Sequence, residues 1–314
     1  MSWELTAEQQ GRAFLLPALD GVQWETETGS AGRLSFSLAA EGPLLREGAR
    51  ILLREDGRGV FCGYLFSQSY AGRGVLRGVA YDQLRYLKNR DTLSYQGLTA
   101  SALLRRLAAE HRLACGQVEE TGYRIPQGTE EDTPCLDMLY NALEETRRAT
   151  GRRYVLYDSF GLLCLRQEGA LAQPLLLDGE AAEEFLYESS LEGAYNQVKL
   201  LYEDGRKGCR QVFLAKDEEK IQEWGLLQYF AKEPEPLGAR EKAAALLAAL
   251  CRRRERLTVK NALGSPAVQA GACLQVSLPG LGAAGLFSVE SARHVFREGS
   301  HTMDLTLKGV GGNG

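Results

Sequence analysis

The stretch GVAYDQLRYLKNRDTLSYQGLTASALLRRLAAEH, residues 78–111, starts with the pattern of a strand and ends with the pattern of a helix. Between these patterns lies YDQLRYLKN, residues 81–89. Its tyrosines, leucines and polar positions fit neither the two-residue period of a strand nor the 3.6-residue period of a helix. This tyrosine corner carries no catalytic pattern. Its role therefore has to be inferred from the sequence on either side of it.

The sequence before the tyrosine corner has the features of a β domain. In RLSFSLA, Leu34, Phe36 and Leu38 alternate with polar residues, which is typical of a strand with one buried face. Three further strand-like runs follow, separated by EDGRG and AGRG, and glycine in such linkers allows the positive φ of a tight hairpin turn. Several short antiparallel strands at this spacing predict a small barrel or sandwich.

The sequence after the corner predicts a small α+β unit over about residues 95–170. Its first helix, ASALLRRLAAEHRL, has an apolar stripe and can be capped by Thr99 or Ser101. The segment RRYVLYDSFGLLCLRQ then predicts a hairpin that turns at residues 158–161.

A second helix is predicted between these elements. Thr133 is its expected N-cap, Pro134 suits its first position, and Gly151 suits its C-terminal stop. The acidic segments VEETGY, TEEDTP and GEAAEEF could supply a pair of carboxylates for acid–base chemistry. They are better interpreted as solvated loops or helix starts, where Asp and Glu are common without any chemical role.

The C-terminal half returns to β patterns. YNQVKLLYEDGRKGCRQVFLAKD predicts strands, EKIQEWGLLQYFAK is ambiguous, and LGAREKAAALLAALCRRRERL predicts a long helix. We interpret its basic run CRRRERL, residues 251–257, as the end of that helix, where cations complement the helix dipole, rather than as a phosphate-binding patch. Four or five strands follow. The chain thus reads as β, then α+β, then β with one inserted helix.

Composition excludes some classes of function. The chain has 314 residues, a net charge of −4 and a pI of about 5.7, so it lacks the basic footprint of a nucleic-acid-binding protein. Its N-terminus has no signal-peptide pattern, and no apolar run is long enough to span a membrane, which predicts synthesis in the cytoplasm. The cysteines are scattered without a C-x-x-C pair, so we expect seven free thiols: Cys62, Cys115, Cys135, Cys164, Cys209, Cys251 and Cys273.

The histidines are the remaining candidates for chemistry. His111 ends the first helix, and His294 and His301 flank the last hairpin, where they could lie on neighbouring strands. A two-histidine metal site is conceivable there, but no third ligand is suitably spaced, and surface or packing roles are favoured. GLGAAG, residues 280–285, joins two strand-like runs and does not open a helix, so it does not predict a phosphate site. We therefore predict no catalytic residue, metal or cofactor.

Four blocks of this sequence resemble the XkdQ/YqbQ family. The most specific is FCGYLFSQSY followed by AYDQLRYLKN, residues 80–89. TRRATGRRYVLYDSFGLLCL, residues 146–165, resembles the next block of the family. AYNQVKLLYED and SARHVFREGSHTMDLTL resemble the second barrel, which also occurs in late control protein D and in the hub region of VgrG spikes. Members of this family are hub proteins of contractile phage tails and phage tail-like bacteriocins.

The resemblance implies an α+β, mainly β fold with two tail-tube-type β-barrels. The expected domains are a first barrel over residues 1–90, a small α+β domain over 91–185, and a second barrel over 186–314 with an inserted helix at about 238–256. The tyrosine corner would end the first barrel and anchor the α+β domain to its rim. The residues predicted to form this structural junction are Tyr81, Asp82, Leu84, Tyr86 and Leu87.

The function that the resemblance implies is a homotrimeric baseplate hub, which joins the hexameric tail tube to the trimeric spike. The expected partners are further copies of the chain, the tail tube protein or tube initiator ring, the spike protein and other baseplate proteins, without specific nucleic-acid binding or membrane insertion. The expected location is the bacterial cytoplasm during assembly and then the baseplate of the phage tail or tail-like particle.

Two other functions compete with the structural hub. A tail-associated peptidoglycan hydrolase would need an acid–base constellation or an extra domain, and we find neither pattern in this sequence. A carbohydrate- or ligand-binding β module would need an aromatic groove, and Trp3, Trp24 and Trp224 are not clustered in the sequence. The sequence therefore favours a hub without enzymatic activity.

Overall fold

The computed structural model describes residues 2–39, 45–71, 74–204 and 209–310. The described chain divides into two compact units. One comprises the residues up to Leu186 together with those from Leu257 onward, and the other comprises Tyr187–Arg256. The fold is mainly β, as predicted.

The N-terminal segment consists of antiparallel strands, as the alternation of apolar residues predicts. Leu34, Phe36 and Leu38 are buried along one strand. Asp56 and Gly57 both have positive φ at the turn of one hairpin, as expected for an Asp-Gly turn. The strands are β1 (Trp3–Gln9), β2 (Arg12–Leu15), β3 (Ala18–Glu27), β4 (Arg33–Ala39), β5 (Arg50–Glu55), β6 (Arg58–Ala71) and β7 (Val75–Tyr81).

The α+β segment follows directly. It begins with a 3₁₀ helix, Gln83–Lys88. Its other elements are β8 (Arg90–Tyr95), α1 (Ala100–Glu110), β9 (Cys115–Val118), β10 (Gly128–Pro134), α2 (Cys135–Thr150), β11 (Tyr154–Asp158) and β12 (Leu163–Gln167). Leu103, Leu104 and Leu107 of α1 are fully buried against the apolar face of α2, so the predicted helical stripe forms the core of this segment.

The ends of the two helices agree with some of the predicted capping residues and not with others. The Thr99 hydroxyl caps α1 by accepting from the Ala102 amide, and Gly151 ends α2 in the left-handed conformation. The prediction that Thr133 caps α2 is wrong. Thr133 and Pro134 pair with β8 as the end of strand β10, and this pairing also makes TEEDTP a strand instead of a loop or helix start.

The remaining elements complete one large sheet and one small sheet. They are β13 (Ala172–Leu177), β14 (Glu184–Ser190), β15 (Gln197–Asp204), β16 (Cys209–Lys216), α3 (Glu218–Trp224), β17 (Gln228–Glu233), α4 (Ala239–Leu250), β18 (Arg254–Leu263), β19 (Cys273–Leu278), a second 3₁₀ helix (Pro279–Leu281), β20 (Ala283–Arg297) and β21 (Ser300–Gly309).

The large sheet is continuous from the N-terminal to the C-terminal β segment. Its order is β14-β18-β21-β20-β3-β4-β7-β6-β5-β1-β2, and β19 and β13 branch from β20. The joining pair is β3 with β20, which run antiparallel with Trp24 opposite His294. We call this pair the seam, because it makes one sheet from two segments that are far apart in the sequence.

The unit Tyr187–Arg256 has its own small core. The sheet order is β16-β15-β17, and Val198 and Leu200 of β15 are buried together with Ala243 of α4. The predicted helix over 238–256 is too long, because α4 ends at Leu250 and the basic run enters strand β18. The interpretation of CRRRERL as a helix end is therefore wrong. Strand pairing overrides the propensity of arginine for helix in this run.

Candidate functional site

The buried face of the seam contains a cluster of aromatic rings and polar groups. The ring of Trp24 stacks on that of His294 at 4.9 Å, and the ring of Phe296 stacks on that of His301 at 3.9 Å. His294 lies on β20 and His301 on the neighbouring strand β21, which their spacing across a turn allows. Both histidines are almost completely inaccessible to solvent.

A continuous chain of hydrogen bonds runs through this cluster. Nδ1 of His301 lies 2.9 Å from Oε1 of Glu55, and Nε2 of His301 lies 2.9 Å from Nδ1 of His294. Nε2 of His294 lies 2.7 Å from the carbonyl oxygen of Val268. We call Glu55, His301 and His294 the histidine cluster. It links the end of β5 to the last hairpin and to the loop before β19.

Burial dominates the electrostatics of the histidine cluster. It lowers the pKa of His294 to about 3 and that of His301 to about 4, because a charged imidazole loses its hydration there. Burial also raises the pKa of Glu55, which is 4% exposed. Each ring nitrogen of the two histidines is engaged in the hydrogen-bond chain, so their lone pairs do not converge on a common point. Within the described ranges, no group of three or more His, Cys, Asp or Glu side chains is arranged to hold a metal ion.

The opposite face of the same strands carries a charge ladder. Arg33, Glu25, Arg293, Asp304 and Lys260 lie on five neighbouring strands and alternate in sign. The separations between neighbouring groups are 3.1 Å at the β4 end and 3.6 to 3.9 Å along the rest of the ladder. The side chains are partly exposed, so solvent screens these pairs and they set strand register more than stability.

The predicted junction residues lie where β7 meets the α+β segment. Tyr81 ends β7 and its ring meets Phe66 edge-on at 5.5 Å. Tyr86 packs against Phe66 and Tyr64, with ring centroids 5.7 Å apart in both pairs. Leu84 and Leu87 are buried in the core of the α+β segment.

Asp82 is the fifth predicted junction residue, and it is buried. Its carboxyl group caps the 3₁₀ helix by accepting from the Leu84 amide at 3.0 Å, and it accepts from the Gly32 amide at 2.7 Å. It therefore connects the start of the α+β segment to the loop between β3 and β4. Burial raises the pKa of Asp82 well above its usual range, and the nearby Asp158 carboxyl raises it further.

Asp82 and Asp158 line the same small cavity, which has a volume of about 20 Å³. Oδ1 of Asp158 accepts from the Gly161 amide at 2.7 Å, whereas Oδ2 is buried without a hydrogen-bond partner. Burial raises the pKa of Asp158 to about 6, against the opposing effect of the hydrogen bond from the Gly161 amide. The volume is enough for one water molecule, which could satisfy Oδ2. We call these two residues the aspartate pair.

Other candidates from the sequence lie apart from these two clusters. GLGAAG joins the second 3₁₀ helix to β20 and opens no helix. His111 caps the C-terminus of α1, and its Nε2 lies 3.9 Å from the buried Cys135 sulfur, whose pKa burial raises. All seven cysteines are free, and four of them are buried: Cys62, Cys135, Cys164 and Cys273.

Comparison with known proteins agrees with this fold. The YqbQ-like family model matches residues 22–308, so the chain belongs to the YqbQ-like family. The phage-like element PBSX protein XkdQ of Bacillus subtilis is 28% identical over 267 residues, which cover 83% of this chain and 81% of that protein.

Two solved structures share the fold. The 43 kDa tail protein of prophage MuSo2 from Shewanella oneidensis aligns with a TM-score of 0.70 at 11% identity, covering 97% of each chain. The c3393 protein of E. coli, a component of the type VI secretion system described as similar to T4 phage tail proteins, aligns with a TM-score of 0.55 at 10% identity. This alignment covers 96% of this chain and 76% of that one. The fold is thus one found among phage tail proteins.

Sequence reasoning missed the histidine cluster as a unit. The spacing of His294 and His301 across a hairpin was a signal for their proximity. Glu55 gave no comparable signal, because it is separated from His301 by 246 positions and precedes an ordinary Asp-Gly turn. Five strands lie between β5 and β21 in the order of the large sheet (β6, β7, β4, β3 and β20), so the contact of Glu55 with His301 requires the sheet to fold back on itself as well as the pairing of β3 with β20.

Proposed function

We propose that this protein is a structural hub in the baseplate of a contractile phage tail or tail-like particle, and that it has no enzymatic activity. The observation that carries the proposal is the seam. A single sheet runs through both β segments, so the N-terminal and C-terminal β regions can act as one rigid body that transmits force. Membership of the YqbQ-like family and the fold shared with phage tail proteins support the same role.

The proposed mechanism is symmetry adaptation. Each β segment would form one tube-type barrel, so three copies of the chain would offer six barrels to a hexameric tail tube while keeping three-fold symmetry towards the spike. The sheet ends at β2 and β14, and unpaired edge strands favour association with a further strand or covering by another element. Identical subunits usually assemble with closed symmetry, and in a closed ring a neighbouring subunit can cover such an edge strand.

The proposed partners follow from this arrangement. They are two further copies of the chain, the tail tube protein or tube initiator ring on one side, and the spike protein with other baseplate proteins on the other. Assembly would take place in the bacterial cytoplasm before the chain becomes part of the particle. The domain division into residues 1–90, 91–185 and 186–314 remains part of the proposal, and Tyr81, Asp82, Leu84, Tyr86 and Leu87 would hold the first two domains together.

Electron microscopy of purified particles, with a label on this chain, tests the proposal. We expect three labels in one ring between the tail tube and the spike, and two β segments of each chain that superpose as similar barrels. Six labels in one ring, or labels away from the baseplate, would contradict the symmetry-adaptor mechanism.

A separate assay tests the absence of enzymatic activity. Purified protein is incubated with Gram-positive and Gram-negative cell walls, and the release of soluble fragments is measured. We expect no turnover above the buffer control. Turnover that a single Asp, Glu or His substitution abolishes would show that the chain is a hydrolase.

A further inference from the structure

The hydrogen-bond chain in the histidine cluster fixes where its protons lie. The Val268 carbonyl oxygen can only accept, so Nε2 of His294, 2.7 Å away, must carry a hydrogen. In the neutral ring, Nδ1 of His294 is then an acceptor. Its neighbour Nε2 of His301, 2.9 Å away, must therefore donate. This leaves Nδ1 of a neutral His301 without a hydrogen and facing Oε1 of Glu55 at 2.9 Å.

Two acceptors at this distance would repel each other, so a proton must lie between Glu55 and His301. We propose that Glu55, His301 and His294 form a buried proton-binding site, in which a protonated Glu55 donates to His301 and both imidazoles are neutral. The opposite direction of donation along the chain is excluded. It would leave the lone pair of His294 Nε2 against the Val268 carbonyl and one uncompensated negative charge in the core.

Burial favours the neutral pair over an ion pair of carboxylate and imidazolium. His294 is 0% exposed, His301 2% and Glu55 4%, so two separated charges would lose nearly all of their hydration. The directions of the pKa shifts agree, because burial raises that of Glu55 and lowers those of both histidines. The site as a whole is then uncharged, which lets it remain in the core of the sheet.

The surroundings leave little freedom for another arrangement. The imidazole of His301 lies between the Phe296 ring and the backbone at Gly264, where an added Cβ would come 2.2 Å from the ring. His294 is held against Trp24.

The charged groups that act on Glu55 from outside the cluster are the Asp56 carboxylate, which raises its pKa, and the positive amino terminus, which lowers it. Arg58 lies opposite Glu55 across the β5–β6 hairpin.

The consequence is that one proton links β5 to the last hairpin. It completes a hydrogen-bond chain that reaches from β5 through β21 and β20 to the loop before β19. Loss of this proton would place a negative charge in the core and leave two groups that can only accept facing each other. This inference rests on contacts within one compact unit and is independent of the proposed hub function.

The test compares two substitutions of Glu55 in the full-length protein. Glu55→Gln supplies an amide N–H in place of the carboxyl O–H, so it can still donate to His301 Nδ1 but cannot titrate. Glu55→Ala removes the donor. We expect Glu55→Ala to raise the unfolding equilibrium constant by about 100-fold and Glu55→Gln to change it by less than about tenfold. Glu4→Gln on β1 is the matched control for an exposed glutamate, and we expect no measurable change.

Nuclear magnetic resonance of the protein with ¹⁵N-labelled histidine reports which ring nitrogens carry a hydrogen, which a stability measurement does not. We expect His294 and His301 to carry a hydrogen on Nε2 and none on Nδ1 near neutral pH, in the wild type and in Glu55→Gln. Infrared spectroscopy should show a protonated carboxyl band that Glu55→Gln removes and Glu4→Gln leaves unchanged.

Three results would overturn the inference. They are hydrogens on both ring nitrogens of His301, a Glu55→Gln variant as unstable as Glu55→Ala, and a protonated carboxyl signal that Glu55→Gln leaves unchanged or that is absent from the wild type. If Glu55→Ala does not fold, the two spectroscopic measurements on the wild type and Glu55→Gln still decide the question.

Discussion

The histidine cluster and the aspartate pair are two buried polar sites in the same compact unit, and they differ in the chemistry of their members. Glu55 contacts His301, which contacts His294, so an acid and two bases share hydrogens in a linear chain that ends at the Val268 carbonyl. Asp82 and Asp158 line the same small cavity, and one carboxyl oxygen of Asp158 has no partner. From this comparison we expect that burial by itself does not determine whether a polar cluster stabilises a fold. The more important factor is whether each buried donor and acceptor has a hydrogen-bond partner.

The two histidines of the first site and Asp158 of the second respond to pH with opposite sign. The folded pKa values of His294 and His301 lie below the ordinary value of 6.5, so the unfolded chain binds more protons as the pH falls below that value. The folded pKa of Asp158, about 6, lies above the ordinary value of 3.8. Its contribution to stability is therefore complete below about pH 4 and is lost as the pH rises through about 6.

The largest effect is expected from breaking the histidine cluster. Replacing His301 by Ala leaves a cavity beside Phe296 and removes the partners of Glu55 and His294. We expect the free energy of unfolding to fall by about 4 kcal/mol. Denaturant unfolding measures it, with His111→Ala as the control on a half-buried histidine. A loss below about 1 kcal/mol for His301→Ala would mean that the cluster does not hold β5 against the last hairpin.

The two histidines of the cluster should each lower the stability of the protein in acid. Between pH 6.5 and about pH 4 the unfolded chain binds protons that the two buried imidazoles of the folded chain do not bind. Each such proton changes the free energy of unfolding by up to about 1.4 kcal/mol per pH unit. Glu55 and the aspartate pair oppose this trend, because burial raises the pKa values of their carboxyl groups and the folded chain keeps protons that the unfolded chain loses. We therefore expect the wild-type stability to change less between pH 7 and pH 4.5 than the two histidines alone would require.

The cleaner measurement uses Asp158→Asn as the background, in which the opposing titration of Asp158 is absent. Unfolding midpoints taken across this pH range should fall more steeply in that variant than in the wild type. Equal slopes in the two proteins would show that Asp158 does not titrate as the structure indicates.

Removing the charge of the aspartate pair should stabilise the protein at high pH. Asp158→Asn keeps an oxygen that can accept from the Gly161 amide and removes a carboxylate that is buried at neutral pH. We expect a gain of about 1 to 2 kcal/mol at pH 8 and almost none at pH 4.5, where the native carboxyl is already protonated.

The control for this variant is Asp178→Asn, because Asp178 also accepts a backbone hydrogen bond but is exposed. We expect it to be neutral at both pH values. Destabilisation by Asp158→Asn at pH 8 would contradict the interpretation of the pair as two acids without a base.

The smallest effect is expected on the outer face of the seam. Arg293 joins Glu25 and Asp304 in the charge ladder, at 3.9 Å from each, and its side chain is 51% exposed. Arg293→Gln should therefore change the free energy of unfolding by less than about 1 kcal/mol, and less still in 1 M salt. A loss above about 2 kcal/mol that persists in high salt would show that the charge ladder stabilises the seam more than its solvent exposure predicts.

The sequence by itself determined the local elements and the order of the segments. The apolar stripe of α1, the Thr99 cap and the glycine stop of α2 follow from helical spacing and capping chemistry. The Asp-Gly turn after Glu55 follows from the positive φ that these residues tolerate. The order β, α+β, β and membership of the YqbQ-like family were likewise predictable, because all of these features depend on neighbouring residues or on blocks that the family shares.

Only the tertiary structure decided which strands are neighbours. The period of a strand tells which residues share a face, but it does not tell which other strand will pair with it. The pairing of β3 with β20, together with the folding back of the large sheet, brought Glu55 to His301. The pairing of β10 with β8 took Thr133 out of a helix cap. Strand pairing also ended α4 at Leu250 and drew the basic run into β18. Such contacts join residues that are distant along the chain, so their free energy depends on the whole fold. No local sequence pattern therefore predicts them.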